Sequence, residues 1–123
     1  MAKTNIKRKS WIKKKSRTKK ALGVLGKYHR LIVFKSNKHI YGQLIDDNAH
    51  ATLLSASTKD KDLAKDLATI STKVEESKIV GYSLAEKIKS KKIDKIIYDR
   101  NGYRYHGRVK AIAEAIREKG INF

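Results

Sequence analysis

Cysteine is absent from the 123 residues, no Asp or Glu stands before Asp46, and no run of aliphatic or aromatic side chains is longer than Leu31-Ile32-Val33-Phe34. Without cysteine there is neither a disulfide framework nor a thiolate metal site, which excludes a small stapled secreted fold. The apolar runs fall far below the ~20 residues that a membrane helix needs. Ala21-Leu22-Gly23-Val24-Leu25-Gly26 is too short and too broken by glycine for the apolar region of a secretory signal. A transit peptide is basic and acid-free, as this N-terminus is, but favours Arg. Here the first thirty residues hold nine Lys and three Arg. The expectation is a soluble, cytoplasmic protein with a basic arm that is retained.

The missing acids leave the charge lopsided. Of a net +18, residues 1–30 carry +12 from Lys3, Lys7, Arg8, Lys9, Lys13, Lys14, Lys15, Arg17, Lys19, Lys20, Lys27 and Arg30, and the remainder carries +6. Like charges without a neutralising carboxylate repel, so such a segment does not fold against itself and calls for a polyanion. A helix from about Lys7 to Leu22 is possible, between Thr4 or Asn5 as cap and Gly23 or Gly26 as stop. Its apolar residues make no helical stripe and its first turn is cationic, against the helix dipole. Residues 1–29 therefore read as a basic arm, disordered alone and ordered or helical on a polyanion that screens the repulsion.

Residues 30–123 read as one α/β domain. Leu31–Phe34 is a continuous β-forming run suited to a strand covered on both faces. A turn over Lys35-Ser36-Asn37-Lys38 follows, with Asn37 tolerating left-handed backbone. Ile40–Ile45 places Ile40, Gly42 and Leu44 on one face, Asp46-Asp47-Asn48 turns again, and Ala51–Ser57 completes an antiparallel meander. Residues 59–71 read as loop or a short helical turn. Ser71 or Thr72 caps a helix to about Ser90 that carries Val80, Leu84 and Ile88, with Gly81 and Ala85 beside them. Ile93–Tyr98 is a fourth, crossover strand. Val109, Ile112, Ala113 and Ile116 mark a last helix ended by Gly120. The order β-β-β-α-β-α implies a mixed β-sheet packed with helices.

Asp99-Arg100-Asn101-Gly102-Tyr103-Arg104-Tyr105-His106-Gly107-Arg108 lies between a strand end and a helix start, where open α/β sheets place ligands. Arg100, Arg104 and Arg108 offer forked donors for phosphate, while Tyr103, Tyr105 and His106 offer stacking faces. Glycines there let the backbone approach another surface closely. A plain surface loop with solvated charges is the competing view, and the neighbouring +12 arm weighs against it. Lys35, Ser36, Asn37, Lys38 and His39, with Tyr41, form a second candidate surface able to reach phosphate and ribose hydroxyls.

Catalytic readings are poorer. Asp46, Asp47 and Asp99 could suggest a two-metal nuclease, but Asp is favoured in turns in any case and neighbouring strand residues face opposite ways. His29, His39, His50 and His106 lack ligand spacing, so no metal site is expected. No phosphate-loop, GxSxG or GxGxxG pattern occurs. No cofactor, small-molecule substrate or enzymatic role is expected.

Leu31 to Asp47, with Ser55-Ala56-Ser57-Thr58, resembles the first half of bacterial large-subunit ribosomal protein eighteen, and Asp99 to Phe123 is similar to that family's C-terminal signature. The likeness spans residues 30–123. It implies a ribonuclease-H-like α/β fold without nuclease activity, binding of 5S rRNA, and help in joining it to the main large-subunit rRNA beside neighbouring 5S-associated proteins. By position it implies that the arm cations (Lys7, Arg8, Lys9, Lys13, Lys14, Lys15, Arg17, Lys19, Lys20, Lys27 and Arg30), the 35–39 hairpin with Tyr41, and the 100–108 loop touch RNA. The family usually has Gly-Gly where this chain has Asn101-Gly102, and Asn, tolerating positive φ, is expected to keep the turn. A non-specific architectural nucleic-acid-binding protein is the alternative function.

Overall fold

The computed structural model describes residues 10–17 and 27–123. Residues 10–17 form a helical segment, α1. The proposed extensions of that helix to Lys7 and to Leu22 lie outside the described residues. Four strands follow: β1 His29–Lys35, β2 Ile40–Asp46, β3 Ala51–Ser57 and β4 Ile96–Asp99. They make one mixed sheet in the order β3-β2-β1-β4. The first three are an antiparallel meander, with Val33 opposite Gly42 and Leu44 opposite Leu54. β4 runs parallel to β1 and sets Tyr98 opposite Leu31.

Between β3 and the crossover strand come a 3-10 turn (Lys61–Leu63), a short helix α2 (Ala64–Ala68) and the long helix α3 (Lys73–Ser90). The Thr72 side chain accepts from the Glu75 backbone N–H at 3.3 Å, satisfying a donor that the first helical turn leaves free. Val80, Gly81, Leu84, Ala85 and Ile88 form its buried stripe. In the last helix, α4 (Gly107–Glu118), Val109, Ile112, Ala113 and Ile116 are buried. A Cβ on Gly81 would stand 2.7 Å from the Ala115 Cβ, so the two helices approach almost backbone to backbone. Leu31, Val33, Ile40 and Leu44 from the sheet meet Leu84, Ile88, Ile112 and Ile116 in the core. Truncating a fully buried member such as Leu84 to Ala costs about 2–5 kcal/mol.

The other face of β1 carries Ile32, which is buried, and Phe34, which is half-buried. Both border a cleft whose far side is Ile12, Lys15 and Ser16 of α1. β1 is thus flanked on both faces, as its unbroken apolar run implies.

Three details differ from expectation. β4 begins at Ile96, because Ile93 still closes α3, its N–H donating to the Ile88 carbonyl, and Lys92 turns through φ 61°. Asn37, though tolerant of left-handed backbone, does not adopt it; among the described residues the non-glycine positions with positive φ are His50, Lys92 and Asn101. The β2–β3 turn starts later than Asp46, which remains in β2 while its carboxylate accepts from the N–H groups of Asn48 and Ala49.

Candidate nucleic-acid interface

The 99–108 loop is shaped by its first residue. Asp99 is buried at the end of β4, and its Oδ1 accepts from the Asn101 N–H at 2.8 Å. Asn101 (φ 55°) and Gly102 (φ 82°) then reverse the chain, so Asn does keep the turn. The Tyr103 N–H donates to the Arg100 carbonyl at 3.0 Å, and Arg100 Nη1 donates back to the Tyr103 carbonyl at 3.1 Å.

This loop and the β1–β2 turn, far apart in sequence, meet. Arg108 Nη1 donates to the Ser36 carbonyl at 2.7 Å and to that of His39 at 3.4 Å. The Lys35 N–H donates to the Tyr103 hydroxyl at 3.4 Å, and the Lys35 ammonium lies 5.0 Å from the Tyr103 ring centre. Within the turn, the Ser36 N–H donates to the His39 carbonyl and the His39 N–H to Ser36 Oγ. His39 Nδ1 sits 2.9 Å from Thr58 Oγ1, and Lys59 covers the Tyr41 ring at 5.8 Å.

α1 completes the face. The Trp11 and Tyr103 rings lie 6.1 Å apart, tilted by 31°, and the Lys15 ammonium is 4.5 Å from the Trp11 ring. A cleft of about 540 Å³ is lined by Ser10, Trp11, Lys14, Lys35, Tyr103 and Arg104, with Gly102 at its floor and no carboxylate among them. Lys38, Arg104 and His106 are exposed around this region, as are Lys13 and Arg17 on α1. Cations and aromatic faces on a rigid frame can grip phosphates and stack on bases.

The other expected contact residues are placed variously. Lys7, Arg8, Lys9, Lys19 and Lys20 lie outside the described residues. Arg30 is no surface donor: its guanidinium holds Asp47 at 3.0 and 3.1 Å and Asp99 at 2.6 Å, and its side chain is only 11% exposed. The hydrogen bonds it donates to Asp47 raise its pKa further, against the cost of burial. Asp47 and Asp99, two of the three acids that the nuclease reading calls on, are thus held by Arg30, and Asp46 faces His29. Among the described residues no group of His, Cys, Asp and Glu is arranged to hold a metal ion. Asn101 is a buried turn residue, its side-chain atoms enclosed, and so is removed from the exposed surface. Tyr103 already touches Trp11 and Lys35, which leaves Tyr105, 39% exposed, as the more available ring. Lys27, Arg100 and Tyr105 line a different cleft, at the β4 edge.

Sequence reasoning overlooked Lys73, whose ammonium donates to the Asn37 carbonyl, together with Lys59 and Thr58 behind the hairpin. Thr58 closes the quoted Ser55-Ala56-Ser57-Thr58 and Lys59 follows it directly, a faint local signal; nothing local marks Lys73.

Residues 5–123 match the family described as ribosomal L18 of archaea, bacteria, mitochondria and chloroplasts. Curated proteins from Staphylococcus aureus strains JH9, Newman and USA300, each named large ribosomal subunit protein uL18, are 49% identical over 117 residues, or 95% of this chain and 95% of theirs.

Proposed function

The chain belongs to the ribosomal L18 family of large-subunit ribosomal proteins, and from that premise we propose that it binds 5S rRNA and helps to attach it to the main large-subunit rRNA. The role is structural, as the family's is, within the cytoplasmic ribosome. Residues 1–29 act as the arm and 30–123 as the folded partner. Arm cations supply sequence-blind attraction by counterion release. The face built from α1, the 35–39 turn and the 100–108 loop reads RNA shape, with Lys13, Lys14, Lys15, Arg17, Lys35, Lys38, Arg104 and Arg108 toward phosphates. Neighbouring 5S-associated proteins pack alongside.

The observation that carries this reading is the bond from Arg108 to the Ser36 carbonyl, which makes one surface of the two polar patches. Filter-binding competition among 5S RNA, tRNA and duplex DNA at physiological salt tests it. Preference for 5S RNA by at least tenfold is expected. Equal competition by all three identifies a non-specific architectural protein instead.

A further inference from the structure

A second cleft, of about 700 Å³, opens along β4, the outer strand of the sheet on the side away from β3. Its aromatic walls are Tyr28, Tyr98, Tyr105 and Phe123. Tyr98 and Phe123 are in contact, with ring centres 5.5 Å apart. The Tyr98 hydroxyl is turned inward, donating to the Val109 carbonyl at 2.6 Å, so that ring is fixed as wall. Cations stand over the rings: Lys95 at 4.7 Å and Lys27 at 5.5 Å from Tyr28, and the Arg117 guanidinium at 4.3 Å from Phe123. Arg117 also donates to the Tyr105 hydroxyl at 3.1 Å, which orients the exposed ring. Arg100 is the fourth cation of the lining, and the lining holds no Asp or Glu side chain.

From this arrangement we propose that the β4-edge cleft receives a single unstacked nucleotide of the bound RNA, its base against Tyr28 and Tyr105 and its phosphates on Lys27, Lys95, Arg100 and Arg117. The proposal rests on the RNA-binding reading above and adds a site to it. A paired helix offers phosphates but keeps its base faces stacked, so aromatic walls beneath a cationic rim suit an extruded or single-stranded residue. The volume falls within the range of small-ligand pockets. Four cations without an acidic side chain disfavour a peptide from a basic partner. Arg100 and Tyr105 belong to the 100–108 loop, so a strand crossing the first face runs directly into this cleft.

The test uses the full chain with octauridylate and with a fully paired RNA hairpin as probes. Tyr28→Leu should weaken octauridylate about tenfold and leave the paired hairpin within twofold. Octauridylate carrying 4-thiouridine should cross-link to Tyr28, Tyr105 or Phe123. Arg117→Gln, which frees the Tyr105 hydroxyl, should act in the same direction and carries the comparison if Tyr28→Leu does not fold. Equal losses on both probes, no loss on octauridylate, cross-links confined to the 35–39 and 100–104 region, or equal competition by polyglutamate would each overturn the nucleotide site. Retained 5S RNA binding alongside any of these results leaves the parent reading standing. Failure of the wild-type chain to bind 5S RNA removes both.

Discussion

The backbone nitrogen of Lys15 lies 2.9 Å from where a Cβ on Gly102 would stand, so the glycine of the loop and the helix of the arm are in direct backbone contact. Gly102→Ala meets two obstacles: a φ of 82°, which alone costs an L-residue about 1–2 kcal/mol, and a backbone neighbour that cannot swing aside. The substitution should lift α1 from Tyr103. Trp11 is the sole tryptophan, so a red shift of its emission reports the separation. Unchanged emission would show that α1 does not depend on this contact.

Removing Arg30 should be costly for stability and not for recognition. Arg30→Ala leaves the buried Asp99 carboxylate without its cation, a loss of about 3–5 kcal/mol. Urea denaturation should show it, while the folded fraction binds RNA as before. A stable variant with weakened RNA binding would return Arg30 to the surface donors.

Arg108 tests whether position or charge matters. Arg108→Ala should weaken 5S RNA binding by about 1–3 kcal/mol, as for a lost specific contact. Arg108→Lys keeps the charge but not the planar fork that reaches the Ser36 and His39 carbonyls, and should recover only part of the loss. Full rescue by Lys would mean that Arg108 acts as a charge alone.

The elements legible in the sequence are those with local signals. β3 matches its expected bounds, Ala51–Ser57, because turn formers precede it and Asp60 caps its end, accepting from the Ser57 N–H. α3 begins where Thr72 and Glu75 announce it. The expected β4 starts three residues before Ile96, because a β-branched run does not reveal that Ile93 serves the preceding helix. The candidate site was legible as two patches and illegible as one, since the Lys35–Tyr103 and Arg108–Ser36 contacts join residues about seventy positions apart. Arg30 reads as a free cation in the sequence for the same reason: its partner Asp99 lies 69 residues away.

Alkaline stability should depend on Tyr98. Burial, then the nearby Tyr105, pushes its phenol far above the ordinary 10.0. Above pH 10.0 the unfolded chain releases this proton and the folded chain keeps it, so folding stability falls as pH rises, by about 1.4 kcal/mol per unit. Tyr98→Phe should cost about 1 kcal/mol at neutral pH, through loss of the bond to Val109, and flatten the alkaline decline. Parallel stability curves for the two proteins would refute the assignment.

Salt dependence separates arm from domain. With six to ten phosphates engaged, log affinity should fall against log salt with a slope of about −4 to −9. Deleting residues 2–22 should flatten that slope and leave a folded chain by circular dichroism. An unchanged slope would move the electrostatic grip onto the folded domain.

The turn over residues 36–39 is fastened by Arg108 from α4, by Lys73 from α3 and by Thr58, the residue after β3. Its backbone therefore gives up its freedom when the chain folds and not when it meets RNA. On the proposed RNA-binding reading, docking of this part is then expected to be a near rigid-body event, with little ordering entropy left to lose and an association rate set by ionic strength. Any sizeable heat-capacity change on binding must then come from segments other than this turn, or from the RNA itself.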